Sequence, residues 1–98
     1  MIEKRHPFRS KAITQAAKDE PCTVCGRNDG TTVFCHLNES WAGKGMGQKA
    51  DDIGMFLCFE HHEIYDGRRN GNLSDRDILR SLFMTIRRLI DKGVIKVA

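Results

Sequence analysis

The clearest hydrophobic pattern in the chain lies between residues 74 and 92. Apolar side chains recur there at spacings of three and four, which is the period of an α-helix with one apolar face. These side chains are Ile78, Leu79, Leu82, Phe83, Ile86, Leu89 and Ile90. Ser74 and Asp77 form a capping-box pair at the start, and Gly93 is a helix stop signal. The pattern therefore predicts an amphipathic helix over 74–92.

Two shorter apolar runs lie upstream of this helix. The segment TTVFCHL, residues 31–37, is rich in β-branched residues and predicts a strand. The segment IGMFLC, residues 53–58, predicts a second, shorter strand. A short helix is expected around residues 10–18, and the terminal VIKVA is compatible with an edge strand.

These elements divide the chain into three parts of one domain. Residues 1–20 form a basic N-terminal arm, residues 21–73 a loop-rich core with many glycines, and residues 74–98 the C-terminal helix and tail. The expected fold class is α+β. With 98 residues the chain lies near the lower size limit for a self-sufficient core. A bound metal ion is one way in which a domain of this size gains stability.

Composition narrows the cellular context. Apolar residues make up 40% of the chain, no run reaches the roughly 18 apolar residues of a membrane helix, and the N-terminus has no apolar signal region. We therefore expect a cytoplasmic protein with no membrane partner. Cysteines stay reduced in that compartment, which favours metal binding over disulfides. The net charge of +3 permits a polyanionic partner without requiring one.

Two ligand pairs with matching spacing predict a zinc site. CTVC contributes Cys22 and Cys25, and CFEH contributes Cys58 and His61. Two intervening residues let a tight turn bring both side chains of a pair to one tetrahedral ion. Since the pairs are far apart in sequence, the site would connect distant segments, as closed structural zinc sites do. Thiolate ligands favour zinc over harder cations. The alternative is a pair of unrelated turns with buried thiols.

The remaining cysteine and histidines fall between and after these pairs. Cys35 lies mid-strand and is interpreted as a buried apolar residue. If His61 binds zinc, the adjacent His62 points elsewhere, and a helix would bring Asp66 onto its face one turn later. Such a pair can form an open site for a hard cation. His36, at the end of the first strand, is a candidate proton acceptor.

The order of these segments resembles the HNH, or His-Me finger, nucleases. The resemblance is closest to small phage and prophage proteins of the YbcO type, which are related to the RecA-dependent nuclease Ref. It rests on CTVCG, FCHLN, GKGMGQKADDIG and LCFEHHEIYDGR, from about Cys22 to Arg68. The resemblance implies a small zinc-stapled ββα-metal domain, to which this chain adds the C-terminal amphipathic helix.

Residue roles follow from the resemblance. It implies that His36 is the general base, that His62 is a ligand of the catalytic metal, and that the two cysteine-containing pairs bind structural zinc. Three positions depart from the family. The middle Asn of the motif is missing, with Asp51 or Asp52 near its place; Cys35 precedes the base where an acid or histidine is common; and His61 stands where cysteine is more usual. The catalytic metal, Mg²⁺ or Mn²⁺, is therefore expected on His62 with Asp66 or Asp52.

The implied chemistry is hydrolysis of DNA phosphodiester bonds. His36 would deprotonate the attacking water, while a divalent cation stabilises charge on the phosphate. Phosphate contacts are expected from four basic residues in two loops: Arg68, Arg69, Lys44 and Lys49. The resemblance further implies a role in recombination or DNA processing in a bacterial host cell, and a recombinase filament as a second partner.

Two other functions fit parts of the sequence. PCTVC and HHE resemble the P-C-x-x-C and H-x-E elements of zinc deaminases, but they occur in the reverse order. The second alternative is a zinc-stapled DNA-binding or protein-adaptor module without catalysis. The missing Asn favours this alternative.

Overall fold

The computed structural model of the protein describes residues 9–38, 51 and 53–96. This part of the chain is a small α+β structure with a two-stranded antiparallel sheet. The elements in order are α1 (Lys11–Gln15), β1 (Val33–His36), β2 (Gly54–Leu57), α2 (Phe59–Tyr65) and α3 (Asp75–Asp91). None of these helices is long and apolar enough to cross a membrane. The coarse α+β assignment is thus confirmed.

Both predicted strands form, each shorter than its apolar run. They pair antiparallel with Phe34 opposite Phe56 and Cys35 opposite Met55. The last pair sets His36 opposite Gly54. A Cβ at Gly54 would lie 2.5 Å from the Phe34 ring, so only glycine lets that ring lie across the strand pair.

The predicted C-terminal helix is confirmed, and both of its ends follow local rules. The Ser74 hydroxyl accepts a hydrogen bond from the backbone N–H of Asp77 at 3.1 Å. At the other end Gly93 has a φ of +74°, and the N–H of Val94 donates to the carbonyl of Leu89 at 2.9 Å. This is a Schellman closure. It turns the tail back on the helix, so residues 94–96 do not form the expected edge strand.

The apolar face of α3 is divided between the core and solvent. Ile78 and Leu82 pack against the core and Leu89 is buried, but four apolar residues of the predicted face are exposed. These are Leu79, Phe83, Ile86 and Ile90. The helix presents Thr85 to the open edge of β2, where the threonine hydroxyl accepts a hydrogen bond from the N–H of Phe56 at 3.0 Å. That edge needs an acceptor because no strand covers it among the described residues.

Alternate side chains of the sheet enter two different cores. On one face lie Cys35, Leu37, Met55 and Leu57, which pack with Cys22, Cys58, Leu73 and α2. On the other face lie Phe34 and Phe56, which pack with Ile13, Ala16, Ala17 and Leu89. Because α1 contributes to the second core, the segment from residue 10 to residue 17 is part of the folded domain. The helix itself ends at Gln15, before the expected residue 18.

Candidate metal centres

The first ligand pair lies on a tight turn that is fixed to the sheet. The N–H of Gly26 donates to the carbonyl of Cys22, and the N–H of Val24 donates to the Cys22 sulfur at 3.4 Å. Gly26 takes a φ of +76°, which an L side chain would strain. Between the ligands, Thr23 donates its backbone N–H and its hydroxyl to the carbonyl of Phe56, at 2.8 and 2.9 Å. The turn therefore covers the open edge of β2.

The second ligand pair lies where β2 gives way to α2. Cys58 is the N-cap residue of α2, and His61 lies in the first turn of that helix. Strand pairing places Leu57, directly before Cys58, opposite Val33. The end of β2 therefore places the second pair beside the first pair, whose turn is hydrogen-bonded to the same strand.

The four predicted zinc ligands meet in one cluster, with all donor atoms within 4.8 Å of one another. Cys25 Sγ and Cys58 Sγ are 3.8 Å apart, and His61 Nδ1 lies 3.3 Å from Cys58 Sγ and 3.8 Å from Cys22 Sγ. In tetrahedral zinc, sulfur donors lie about 3.8 Å apart and sulfur and nitrogen about 3.6 Å apart, from the usual bond lengths. The cluster therefore fits a structural zinc ion.

The electrostatics of the cysteine thiols also favour a bound divalent cation. Burial and the neighbouring Cys22 thiolate raise the pKa of Cys58 to about 11, against a hydrogen bond from the His61 backbone. Burial also raises the pKa of Cys22, but backbone N–H donors from Cys58, Cys25 and Val24 leave it lower than usual. A divalent cation replaces repulsion between thiolates by attraction to each of them.

A second group of donors was not predicted as a set. Cys35 joins His62 and Asp66, and their donor atoms also lie within 4.8 Å of one another. His62 Nε2 is 3.2 Å from Asp66 Oδ2, which confirms that the two side chains share one face of α2. Cys35 was not predicted as a donor, although strand alternation and the antiparallel partner together set it on the α2 side.

His36 is paired with a buried carboxylate. Its Nε2 lies 2.7 Å from Asp51 Oδ1, and the Asp51 side chain is 3% exposed. Burial raises the pKa of Asp51, but hydrogen bonds from His36 and from the Ser10 N–H, with the charge of Arg9, leave it below the usual value. Asp51 Oδ1 can therefore accept a hydrogen bond from His36 Nε2 and orient the imidazole ring.

The structure separates His36 from the other predicted catalytic residue. The His36 ring contacts Phe34 edge-on, with centroids 5.2 Å apart, and so lies on the sheet face of the second core. His62 and Asp66 join Cys35, which lies on the opposite face. Within β1 it is therefore Cys35, and not the predicted base His36, whose side chain joins the donors of α2.

The two predicted phosphate-binding arginines are engaged with carboxylates. Arg68 Nη2 is 3.0 Å from Asp66 Oδ2. Arg69 forms a two-pronged contact with Glu63, at 3.2 and 2.8 Å, and lies over the Phe59 ring. The other predicted contacts, Lys44 and Lys49, and the predicted metal ligand Asp52 lie outside the described residues.

No protein-family model, no curated protein and no solved structure matches the chain. The two donor clusters and the His36–Asp51 pair are therefore the structural features that bear on function.

Proposed function

We propose that the protein is a metal-dependent DNA endonuclease of the HNH, or His-Me finger, type. The observation that carries the proposal is the junction of two donor clusters on α2. His61 faces the zinc cluster, while the adjacent His62 and Asp66 face Cys35. Strands β1 and β2 followed by α2 give the ββα order that the proposed fold requires. The structural zinc would fix α2 against the sheet and thereby position the second cluster.

Each residue has a distinct task in this proposal. A divalent cation at the second cluster would supply positive charge to the scissile phosphate and its leaving oxygen. His62 and Asp66 would hold that cation, and their side chains are 31% and 24% exposed, so the site opens to solvent. His36 would accept the proton of the attacking water, with Asp51 orienting its ring. Since His36 and the cation site lie on opposite faces of the sheet, this role requires the scissile phosphate to bind within reach of both. Arg68 and Arg69 hold backbone phosphates once they exchange their carboxylate partners for DNA.

The biological setting belongs to the same proposal and rests on the sequence resemblance. We place the protein in phage or prophage DNA recombination or processing, in the cytoplasm of a bacterial host cell. A recombinase filament is the proposed partner besides DNA. Mg²⁺ and Mn²⁺ are the cations that the resemblance implies for cleavage.

A second function is favoured by one specific observation. His36 lies on the sheet face opposite the His62–Asp66 pair. Its Nε2 is hydrogen-bonded to the Asp51 carboxylate, which also accepts a hydrogen bond from the backbone N–H of Ser10. Those contacts suit a residue that anchors the N-terminal segment. The alternative is therefore a zinc-stapled DNA-binding or protein-adaptor module without catalysis.

Plasmid nicking separates the two functions. Supercoiled DNA is incubated with wild type, His36→Ala, His62→Ala and Glu60→Gln, each with Mg²⁺, Mn²⁺, Co²⁺ or Zn²⁺. We expect His36→Ala and His62→Ala to cut at least ~10²-fold more slowly, the lower range for a lost general base. Glu60→Gln removes a carboxylate from the same helix outside both clusters and should cut like wild type.

Purification and binding controls make the assay decisive. All variants are purified identically, so a contaminating nuclease would give equal cutting in every sample. DNA binding is measured in parallel, with and without a recombinase filament. If every variant binds DNA and none cuts it, with or without the filament, the endonuclease proposal is wrong and the adaptor function stands.

A further inference from the structure

Cys35 is the one cysteine that the zinc cluster does not use. It lies in the middle of β1 opposite Met55 and is 1% exposed. Its thiol donates to the carbonyl of His36 at 3.9 Å, a weak contact. Its sulfur also lies within 4.8 Å of the donor atoms of His62 and Asp66. A buried sulfur, an imidazole and a carboxylate thus converge at one point between β1 and α2.

We propose that Cys35 is a third ligand of the second cluster and that this site binds a thiophilic divalent cation, such as Zn²⁺ or Co²⁺, in preference to Mg²⁺. The inference deepens the proposed function, on which it rests for the role of the cation in cleavage. Cation binding itself can be measured without DNA.

Donor chemistry decides the class of cation. Mg²⁺ takes oxygen ligands in octahedral geometry and loses its water reluctantly. Among these three donors only Asp66 offers oxygen. A thiolate with an imidazole suits zinc and its neighbours in the first transition row. Three protein ligands also leave a coordination position open, as catalytic zinc sites do and closed structural sites do not.

Burial excludes the other chemical role of this triad. Cys35, His62 and Asp66 are also the residue types of a cysteine nucleophile with its base and orienting acid. A nucleophile must meet its substrate, and reactive cysteines are accordingly accessible. With 1% of Cys35 exposed, a substrate carbon or phosphorus does not reach the sulfur. A bare cation is smaller, and it can enter past the partly exposed side chains of His62 and Asp66.

One contact opposes cation binding and thereby links the site to DNA. Asp66 Oδ2 contacts both His62 Nε2, at 3.2 Å, and Arg68 Nη2, at 3.0 Å. A cation that takes this oxygen weakens the ion pair, because the arginine and the cation repel each other. Arg68, 59% exposed, then becomes available to a phosphate. Arg68→Ala should consequently tighten cation binding.

Co²⁺ provides a probe that does not depend on activity. Full-length protein is first loaded with one Zn²⁺ per chain, and excess metal is removed. Co²⁺ is then titrated in, and the near-ultraviolet charge-transfer band of a Co²⁺–thiolate bond is recorded. Elemental analysis after the titration verifies that the structural zinc is retained, as expected because Co²⁺ binds a given site more weakly than Zn²⁺.

Four variants assign the band. Cys35→Ser should remove it and weaken Co²⁺ binding at least ~10-fold, taking the lower range for disturbed metal sites as a floor. Asp66→Asn, at the solvent-exposed end of α2, should weaken Co²⁺ binding without touching the core. Glu60→Gln should change neither quantity. Cys35→Asp should raise the affinity for Mg²⁺ relative to Co²⁺, because it replaces sulfur by oxygen.

The outcomes separate this inference from the proposed function. The same band and affinity in wild type and Cys35→Ser would overturn the inference, as would equal affinity of wild type for Mg²⁺ and Co²⁺. If the protein shows the Cys35-dependent band but does not cut DNA with any of the cations, the inference is supported and the nuclease proposal is refuted. If Mg²⁺ supports cutting and Cys35→Ser leaves that cutting unchanged, the nuclease proposal is supported and the inference about Cys35 is overturned. If Cys35→Ser does not fold, two other measurements test the inference. Asp66→Asn should still weaken Co²⁺ binding, and wild type should still bind Co²⁺ more tightly than Mg²⁺.

Discussion

The side chains of His36 and Asp51 form a short, partly buried hydrogen bond of 2.7 Å between the end of β1 and the residue three positions before β2. The same carboxylate accepts the N–H of Ser10, the N-cap of α1, also at 2.7 Å. Arg9 lies 3.4 Å away on the solvent side. One buried charge thus joins the first strand, the approach to the second strand and the first helix.

Asp51→Asn should destabilise the domain at neutral pH by about 1–3 kcal/mol, because hydrogen bonds to a buried carboxylate are lost or left imperfect. The pKa of Asp51 is lowered in the folded state, so its stabilisation is complete above the usual aspartate value of about 3.9. It is lost as the pH falls through the lower folded value. Urea unfolding of both proteins between pH 7 and pH 3 should show their difference shrinking with acid. A difference that grows with acid would contradict this assignment.

The contact between Thr85 and Phe56 gives a second prediction. Thr85→Val keeps the side-chain shape but leaves the buried N–H of Phe56 without its acceptor, which should cost about 1–3 kcal/mol in the free energy of unfolding. Ser81→Ala is the matched control. Ser81 is equally buried one turn earlier, and its hydroxyl has no hydrogen-bond partner among the described residues. We expect Ser81→Ala to be neutral or stabilising. Equal losses in both variants would show that the hydroxyls act only by filling space.

The same contact shows how far the sequence predicts this fold. The ends of α3 were predictable because Ser74 and Gly93 act on backbone groups within a turn or two of themselves. The face that α3 buries was not, because it depends on the unpaired edge of β2. Hydrophobic periodicity favoured Phe83 and Leu79 as packing residues, yet a threonine faces the sheet. The contact of Thr85 with the strand edge is polar, so hydrophobic periodicity does not register it.

The same difference between local and long-range interactions decides which parts of the candidate sites were predictable. The zinc ligands were predictable because C-x2-C spacing is itself a local geometry. The roles of Cys35 and Asp51 were not. Cys35 meets α2 only after β1 and β2 pair in one particular register, and a lone cysteine in an apolar run is ordinary core. Asp51 lies in a stretch without periodicity, where nothing local distinguishes it from Asp52 as the partner of His36.

Zinc content gives a third prediction. Purified protein should contain about one tightly held zinc per chain, from the four-ligand count. Cys58→Ser should lose that zinc and unfold, because the site forms only as the chain folds. Cys35→Ser is the control for substitution of a buried cysteine and should keep the structural zinc. A chelator should likewise unfold the wild type, as followed by circular dichroism. A stable native fold without metal would refute the structural role of the cluster.

The fourth prediction separates two histidines that are adjacent in sequence. His61 Nδ1 lies 3.3 Å from Cys58 Sγ, whereas His62 Nε2 lies 3.2 Å from Asp66, so the two rings serve different clusters. His61→Ala should release the structural zinc and lower the midpoint of thermal unfolding sharply. His62→Ala should keep the zinc and the fold, and should abolish binding of a second cation. Zinc content, thermal unfolding and Co²⁺ titration of both variants provide the measurement. If His62→Ala also releases the structural zinc, the histidine ligand has been assigned one residue too early, and both clusters would have to be redrawn around a C-x3-H pair.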